Sequence, residues 1–319
     1  MLRSGPEIVV TDICWRTDRH GYDGFPEEQA PAHTLVFMRT GICTMRIGCR
    51  ELVADANHVL FFNSGQPFRV AHPVEGGDDC TTYEFQADLV REAVTGLRPS
   101  ADEHSSQPFE FTHVVSDSML FLLQERLRQY MLAETDDQLT VDELALDLLG
   151  TSLLLGYRTY DISMTPRRNG TAEARRTTAE ATQVLLAHSL SEKLGLIEIA
   201  KRVHSSPFHL ARLFRAETGL AIHQYRNQLR LRTALVRIAD GETDLSRMAQ
   251  ELGFSSHSHL TDTFKRGFGL PPSECRRRAN SEYLRELSTN LEVRRKSNGY
   301  SHSMIGRKIH HADLYTLQY

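Results

Sequence analysis

The first third of the chain alternates short apolar runs with turn residues such as Gly41, Gly48 and Gly65. Short runs at this spacing are typical of the strands of a small antiparallel barrel or sandwich. The pattern therefore predicts a β-rich region over residues 7–15 and 33–86. The clearest runs lie at residues 33–38, 43–47, 59–62 and 81–85.

A helical period replaces this pattern from Asp117 onward. Apolar residues recur three or four positions apart up to Met131 and again over 140–157, which predicts two helices. The second helix is apolar around so much of its circumference that we expect it to be buried on more than one side. We expect the β-region to cover one side and a second subunit to cover another, which makes helices 117–157 the predicted dimer interface.

Two segments of the C-terminal half repeat each other. In each segment a short amphipathic helix is followed by a break and a second helix, which is the helix-turn-helix arrangement. We expect Ser206 and Ser256 to cap the second helices, and Gly219 and Gly269 to end them in a left-handed conformation. A helix over about 221–240 joins the two copies. The matching positions are Leu196, Ile199, Ala200, Val203, Leu210 and Phe214 in the first copy, and Leu245, Met248, Ala249, Leu252, Leu260 and Phe264 in the second.

These residues resemble the AraC/XylS family of transcription regulators over about residues 176–278. The blocks that carry the resemblance are Leu196–Ala200, Ser206–Phe214, Glu217–Gly219, Gly253–Ser256 and Phe264–Ser273. The front half resembles the cupin-like regulatory domain of the family more loosely. The chain departs from the family at the first turn, where His204 stands in place of the usual glycine. A left-handed histidine there would strain the turn slightly.

Pattern and resemblance together predict an α+β protein. Residues 1–160 are expected to form a cupin-like antiparallel β-barrel with helices, followed by a linker over 161–175. Residues 176–279 are expected to form an all-α DNA-binding domain with two helix-turn-helix motifs joined by a linker helix. The tail over 280–319 is polar, and we expect one short helix at 281–288.

The charge of the chain also changes sign between its two halves, near residue 170. The first 170 residues contain 14 Lys and Arg against 26 Asp and Glu, whereas residues 171–279 contain 17 against 11, within a net charge of −4. A basic module joined to an acidic one predicts binding of a polyanion by the back half. Five cysteines without a CxxC pair argue against a disulfide framework and a zinc module, and indicate a cytoplasmic location. The apolar runs fall far short of the ~18 residues of a membrane span.

The resemblance implies that helices 206–217 and 256–267 enter successive segments of the major groove. Arg212 has the strongest chemical case, because a guanidinium can bond O6 and N7 of guanine together. Phe208 either contacts a thymine methyl or packs against its own domain. Asp262 either accepts a hydrogen bond from cytosine N4, or caps the helix or pairs with Lys265 or Arg266. The base-facing candidates are Phe208, Ala211, Arg212, Arg215, His257, Ser258, His259 and Asp262.

Phosphate contacts are expected from helix N-termini and from basic side chains. The amides at Ser206 and Ser256 suit anions, because a helix N-terminus carries partial positive charge. For each single arginine, solvated surface charge is the alternative interpretation. The phosphate candidates are Ser206, Ser256, Arg230, Arg232, Lys265, Arg266 and Arg276.

The β-region lacks the His-x-His pattern that a metal-holding barrel needs, since His33, His58 and His72 stand singly. We interpret these histidines as edge or core residues. Cys43 and Cys49 are either oxidant sensors or inert buried thiols. His257 and His259 point ~200° apart on a helix, which does not suit a shared metal.

The function predicted is a sequence-specific transcriptional regulator, expected to be an activator, whose N-terminal domain senses a signal. Expected partners are double-stranded promoter DNA, a second copy of the chain, RNA polymerase and a candidate small-molecule effector, with no membrane, no cofactor and no enzymatic activity. Two alternatives stay open. One is a metal-dependent cupin enzyme fused to a DNA-binding module, and the other is a protein-interaction scaffold.

Overall fold

The structure is a computed structural model, and it describes residues 2–4, 7–16, 26–48, 50–98, 106–133, 137–162, 169–192, 194–276 and 281–297. Within these ranges, no helix combines the length and the apolar character that crossing a membrane requires. Cys49 and residues 163–168 of the predicted linker lie outside the described residues, as does the tail after Ser297.

The N-terminal half of the described chain is built mainly from strands. They are β1 (Arg3–Ser4), β2 (Ile8–Trp15), β3 (Glu28–Gln29), β4 (His33–Ile47), β5 (Arg50–Asp55), β6 (His58–Phe62), β7 (Pro67–Ala71), β8 (Asp78–Phe85) and β9 (His113–Val115).

Helices make up the rest of the described chain. They are α1 (Ala87–Leu97), α2 (Ser118–Leu132), α3 (Gln138–Ile162), α4 (Asn169–His188), α5 (Leu196–Arg202), α6 (Pro207–Thr218), α7 (Ile222–Ala239), α8 (Leu245–Glu251), α9 (His257–Phe268), α10 (Pro272–Cys275) and α11 (Ser281–Ser297).

All strand pairs are antiparallel, in the order β1-β2-β8-β4-β6-β9, with β5 and β7 paired to β4, and β3 to β7. Strand β4 organises the sheet because it is long and irregular between Met38 and Thr40. Before this point it pairs with β6, and after it with β5 and β7. The expected mixture of helices and antiparallel sheet is confirmed. The predicted closed barrel is not confirmed, because the series of hydrogen-bonded strands that begins with β1 ends at β9 and does not return to β1 among the described strands.

The two faces of the sheet bury different sets of side chains, as the alternation of a pleated strand requires. On β4, Leu35 and Phe37 belong to the large core that the helices cover, whereas Val36 and Met38 belong to a smaller cluster on the other face. The smaller cluster surrounds a cavity of about 320 Å³. The sheet therefore packs on helices on one side and encloses a cavity on the other.

Helix α2 is buried within its own chain. Asp117 caps it by accepting from the amides of Met119 and Leu120, and most of its side chains from Met119 to Met131 are buried. It packs on α3, α7, α9 and α11. Other helices of the same chain therefore cover these faces of α2, and the dimer interface over helices 117–157 stays a prediction.

Helix α11 is the element that corrects the interpretation of the C-terminus. It runs to Ser297 rather than ending near 288, and it packs on α2 and α3. Its Leu284, Leu287 and Leu291 are buried, and Arg285 donates to Thr140 Oγ1 at 2.7 Å. The first part of the predicted tail is therefore part of the core of the N-terminal half.

Helix α7 docks the helical C-terminal half onto the sheet. Tyr225 donates from its hydroxyl to Asp55 Oδ2 at 2.6 Å, and Arg232 donates to Ser116 O at 2.7 Å and to Ala56 O. Both side chains are fully buried. The turn between β5 and β6, which contains Asp55 and Ala56, is thus the point where the two halves are tied together.

We predict that Leu284→Ala lowers the free energy of unfolding by about 2–5 kcal/mol, because the truncation leaves a cavity beneath α11. Chemical denaturation measures the change. The matched control is Leu139→Ala on the exposed side of α3, where 63% of the residue is accessible and a change within about 0.5 kcal/mol is expected. Equal effects of the two substitutions would show that α11 is not part of the core.

Glu180 of α4 makes the stability of the fold depend on pH. Burial raises its pKa to about 7, and the nearby Glu51 and Glu217 add to the shift against the opposing Arg176. The folded chain therefore holds a proton that the unfolded chain releases, so stability falls as pH rises from about 4.5 to about 7. We predict that Glu180→Gln adds about 1–3 kcal/mol to the free energy of unfolding at pH 8 and little at pH 4. Denaturation at both pH values tests this, with the exposed Glu173→Gln as control.

Candidate DNA-binding surface

The two repeats have the same local structure at their second helices. Ser206 Oγ accepts from the amide of His209 at 3.3 Å, and Ser256 Oγ accepts from the amide of His259 at 3.1 Å. Both α6 and α9 are followed by a left-handed glycine, Gly219 at φ +76° and Gly269 at φ +80°. The predicted caps and helix ends are therefore confirmed.

The turns between the helices of each motif also match. Ser205 donates its amide to Ala200 O at 2.9 Å, and Phe254 donates to Ala249 O at 2.8 Å. The residue before each donor is left-handed: His204 at φ +52° and Gly253 at φ +72°. Among the described residues, His204 is the one non-glycine residue with positive φ. The strain predicted for the first turn is therefore present.

Helix α6 presents its predicted reading face to solvent. Leu210, Leu213 and Phe214 are buried, whereas Phe208 is 74% exposed. The Arg212 guanidinium lies 5.6 Å from the centre of the Phe208 ring. Phe208 therefore does not pack into its own domain, and the two side chains form one cationic and aromatic projection. Arg215 is also exposed, and Ala211 is partly exposed.

Helix α9 has the same arrangement with a different chemistry. Leu260, Phe264 and Phe268 are buried. His259 is held by its own chain, since its Nδ1 lies 2.9 Å from Ser255 Oγ and its ring meets Phe254 edge to face. Arg266 bonds the Asp262 carbonyl at 3.4 Å. The exposed side chains are His257, Ser258, His259, Asp262, Lys265 and Arg266.

Two of the phosphate candidates are interior residues. Arg230 donates to Leu190 O at 2.8 and 2.6 Å. The side chain of Arg232 extends from α7 to the β5–β6 turn and to the ring of Phe121. Burial lowers the pKa of each to about 10. In this structure neither guanidinium is available to a phosphate group. The other five candidates, Ser206, Ser256, Lys265, Arg266 and Arg276, are exposed.

The other two arginines of α7 also have partners within the chain. Arg226 donates to Leu194 O at 3.0 Å, and Arg237 pairs with Glu251 at 2.6 Å. The apolar face of the helix is buried and includes Ile222, Tyr225, Leu229, Ala234 and Ile238. Helix α7 is therefore a central bar with contacts around its whole circumference, and the sequence pattern identified only its apolar face.

Helix α4 was missed by the sequence analysis, which placed a linker as far as residue 175. The helix begins at Asn169 and packs against both α6 and the sheet. Gln183 of this helix donates to the Tyr225 hydroxyl at 3.1 Å. Its sequence is polar over its first half, so its apolar period gave a weak signal.

The three histidines of the β-region are buried in separate places. His33 Nδ1 accepts from the Ser64 amide at 3.2 Å, His58 lies 3.0 Å from Asp55, and His72 lies 2.5 Å from Asp78. No group of three or more potential metal ligands comes together within the described residues. Cys43 is buried, and burial raises the pKa of its thiol, which is the behaviour of an inert thiol.

Comparisons with known proteins agree with this geometry. A family model described as a helix-turn-helix domain matches residues 199–278. The multiple antibiotic resistance protein MarA of Escherichia coli (strain K12) is 31% identical over 88 residues, which are 28% of this chain and 69% of MarA. The HTH-type transcriptional regulator GlxA of Rhizobium meliloti (strain 1021) is 31% identical over 119 residues, 36% of this chain and 37% of GlxA. Among solved structures, ToxT from Vibrio cholerae O395 aligns over 88% of this chain and 97% of its own, with 13% identity and a TM-score of 0.31.

Two helix-turn-helix motifs on one central helix, each with an exposed second helix, define a DNA-binding protein of the regulator class. With 31% identity to MarA over 69% of that protein's length, the chain belongs to the AraC/XylS family of transcription regulators.

The matched turns predict opposite effects of two substitutions. We expect His204→Gly to raise the free energy of unfolding by about 0.5–1 kcal/mol, because it relieves a left-handed non-glycine residue. We expect Gly253→Ala to lower it by at least about 1–2 kcal/mol, because a Cβ at Gly253 would meet the Arg230 guanidinium and the backbone is left-handed. Urea denaturation measures both. A destabilised His204→Gly variant would show that this turn is not strained.

Proposed function

We propose that the chain regulates transcription by binding promoter DNA with α6 and α9, under the control of a small molecule held in the cavity of the N-terminal sheet. The observation that carries the proposal is the exposure of both second helices at the two ends of one rigid helix. Each buries one apolar face, Leu210, Leu213 and Phe214 on α6 and Leu260, Phe264 and Phe268 on α9, and exposes the opposite face.

The two helices would read DNA with different chemistry. Arg212 would bond guanine from α6, with Phe208 beside it for a thymine methyl. On α9, His257, Ser258 and Asp262 supply hydrogen-bonding groups. Lys265, Arg266 and Arg276, with the helix starts at Ser206 and Ser256, would contact phosphates and set the position of the protein on the duplex.

The signal would pass through the β5–β6 turn. Cys43 and Ala54, partners on β4 and β5, both belong to the small cluster around the cavity, and Cys43 lines it. The residue after Ala54 is Asp55, which holds Tyr225 of the central helix α7. A ligand that shifts β5 would therefore change the contact that positions both DNA-binding motifs, by favouring one of two arrangements.

We further infer that the protein acts as an activator in the cytoplasm, as a homodimer that contacts RNA polymerase, and that it is not an enzyme. Family membership supports the dimer and the polymerase contact. Against the cupin-enzyme alternative, the described residues contain no cluster of potential metal ligands. Metal analysis of the purified protein tests that alternative, because stoichiometric iron, zinc or manganese would favour it.

We predict that Arg212→Ala weakens binding to the preferred duplex by ~1–3 kcal/mol and relaxes the preference at one base pair. The duplex is first selected from random sequences with the purified chain, and affinities are measured by fluorescence anisotropy at fixed salt. Arg212→Lys keeps the charge but loses the paired bonds to guanine, so it should lose the base preference as well.

Arg91→Ala is the matched control, because this arginine lies on α1, outside both helix-turn-helix motifs, and pairs with Asp88. Its affinity for the selected duplex should equal that of the unmodified chain. Binding to the selected duplex that is no tighter than to random DNA would instead favour the protein-interaction scaffold.

A further inference from the structure

The cavity enclosed by the N-terminal sheet has a wall that is largely apolar. Its volume of about 320 Å³ lies at the lower end of the range for small-molecule sites. Met38, Met45, Phe62 and Phe68 contribute much of its lining. The rings of Phe62 and Phe68 lie 4.8 Å apart. Such a wall suits a compact molecule with an aromatic or aliphatic body.

The charged groups in this wall are acidic. Glu28, Asp78 and Glu84 line the cavity, and no lysine or arginine lines it among the described residues. Four arginines adjacent in sequence to lining residues pair with carboxylates outside the cavity lining: Arg16 with Asp79, Arg39 with Asp12, Arg46 with Glu51 and Arg69 with Glu27. Asp78 is paired with the buried His72, whose Nε2 lies 2.5 Å from Asp78 Oδ1. Glu28 and Glu84 are therefore the carboxylates that a ligand in the cavity meets, with no lysine or arginine beside them in the described wall.

Glu84 shows what this environment does to a carboxylate. Burial raises its pKa, because its partly apolar surroundings disfavour the charged form. A bound carboxylate ligand would incur the same cost and would add repulsion from the wall. A bound cation would do the opposite, because it would stabilise the ionised form of Glu84.

Aromatic rings near the polar part of the wall add a second attraction for positive charge. Trp15 lines the cavity with 46% of its surface exposed, and its ring is parallel to that of His72 at 6.4 Å between centres. The face of an indole or phenyl ring attracts cations, most strongly where water is excluded.

We propose that the cavity selects hydrophobic cations, namely compact amines or quaternary ammonium compounds with an aromatic or aliphatic body, over neutral and anionic molecules of similar shape. This inference rests on the proposed role of the N-terminal domain as the sensor of a small molecule, and it specifies the chemical class of that molecule.

The test uses the intrinsic fluorescence of Trp15, which is the single tryptophan of the chain. The full chain is titrated with benzyltrimethylammonium, with its neutral carbon analogue neopentylbenzene, and with 3-phenylpropionate as the anion. We expect the cation to bind about tenfold more tightly than the neutral analogue, and the anion not to bind in the same range. The Trp15→Phe variant should lose the signal, which assigns it to this residue.

The Glu84→Gln variant separates charge from shape. It should weaken binding of benzyltrimethylammonium about five- to tenfold and leave binding of neopentylbenzene unchanged. Glu92→Gln, an exposed carboxylate on α1 outside the cavity, is the matched control and should change neither affinity. Circular dichroism establishes that each variant is folded before titration.

Equal affinities for the cation and the neutral analogue, a preference for the anion, or no binding of any of the three would overturn the proposed ligand class. A Glu84→Gln variant with undiminished cation affinity would overturn it as well. The selected-duplex measurement on the unmodified chain is independent of these results. Loss of specific DNA binding would refute the regulator function, whereas specific DNA binding without cation binding would refute the ligand class alone.

Discussion

The buried guanidinium of Arg232 is the interaction on which the arrangement of the two halves depends. It extends from the middle of α7 to the carbonyl oxygens of Ala56 and Ser116 and lies 4.9 Å from the centre of the Phe121 ring. Taking the guanidinium out of water carries a desolvation cost, which the two carbonyls, the ring and the nearby charges of Asp55 and Asp117 oppose. Because a buried charge that loses its partners is strongly destabilising, the contact favours one geometry between the halves.

The other arginines of α7 also act as structural residues. Each arginine of α7 reaches a different part of the molecule: Arg226 reaches the start of α5, Arg230 the end of α4, and Arg237 helix α8. These bonds fix both motifs to one bar. The exposed cations of the DNA-binding surface are therefore concentrated on α6, on α9 and just after α10, where no carbonyl or carboxylate of the chain engages them fully.

The features that could be predicted from the sequence are those governed by local rules. Ser206, Gly219 and their counterparts in the second repeat determine caps and helix ends within a few residues, and the apolar period identified the buried faces of α6 and α9. The burial of Arg232 could not be found in this way, because it depends on Ala56 and Ser116, which are distant in sequence. The packing of α11 on α2 could not be predicted for the same reason, because the two helices are distant in sequence. The residues that line the cavity and those that fill the core are of the same apolar types, so only coordinates could distinguish them.

The length of α7 has a consequence for how this protein could change its target over time. At 18 residues and 1.5 Å per residue the helix is about 27 Å long, and bonded contacts on all sides prevent it from sliding or turning. The length of α7 therefore fixes the separation between the two helix-turn-helix motifs. Under the proposed function, new operators would become accessible by exchanging side chains at positions such as Arg212 or Asp262, whereas insertions within α7 would rotate one motif out of phase with the double helix.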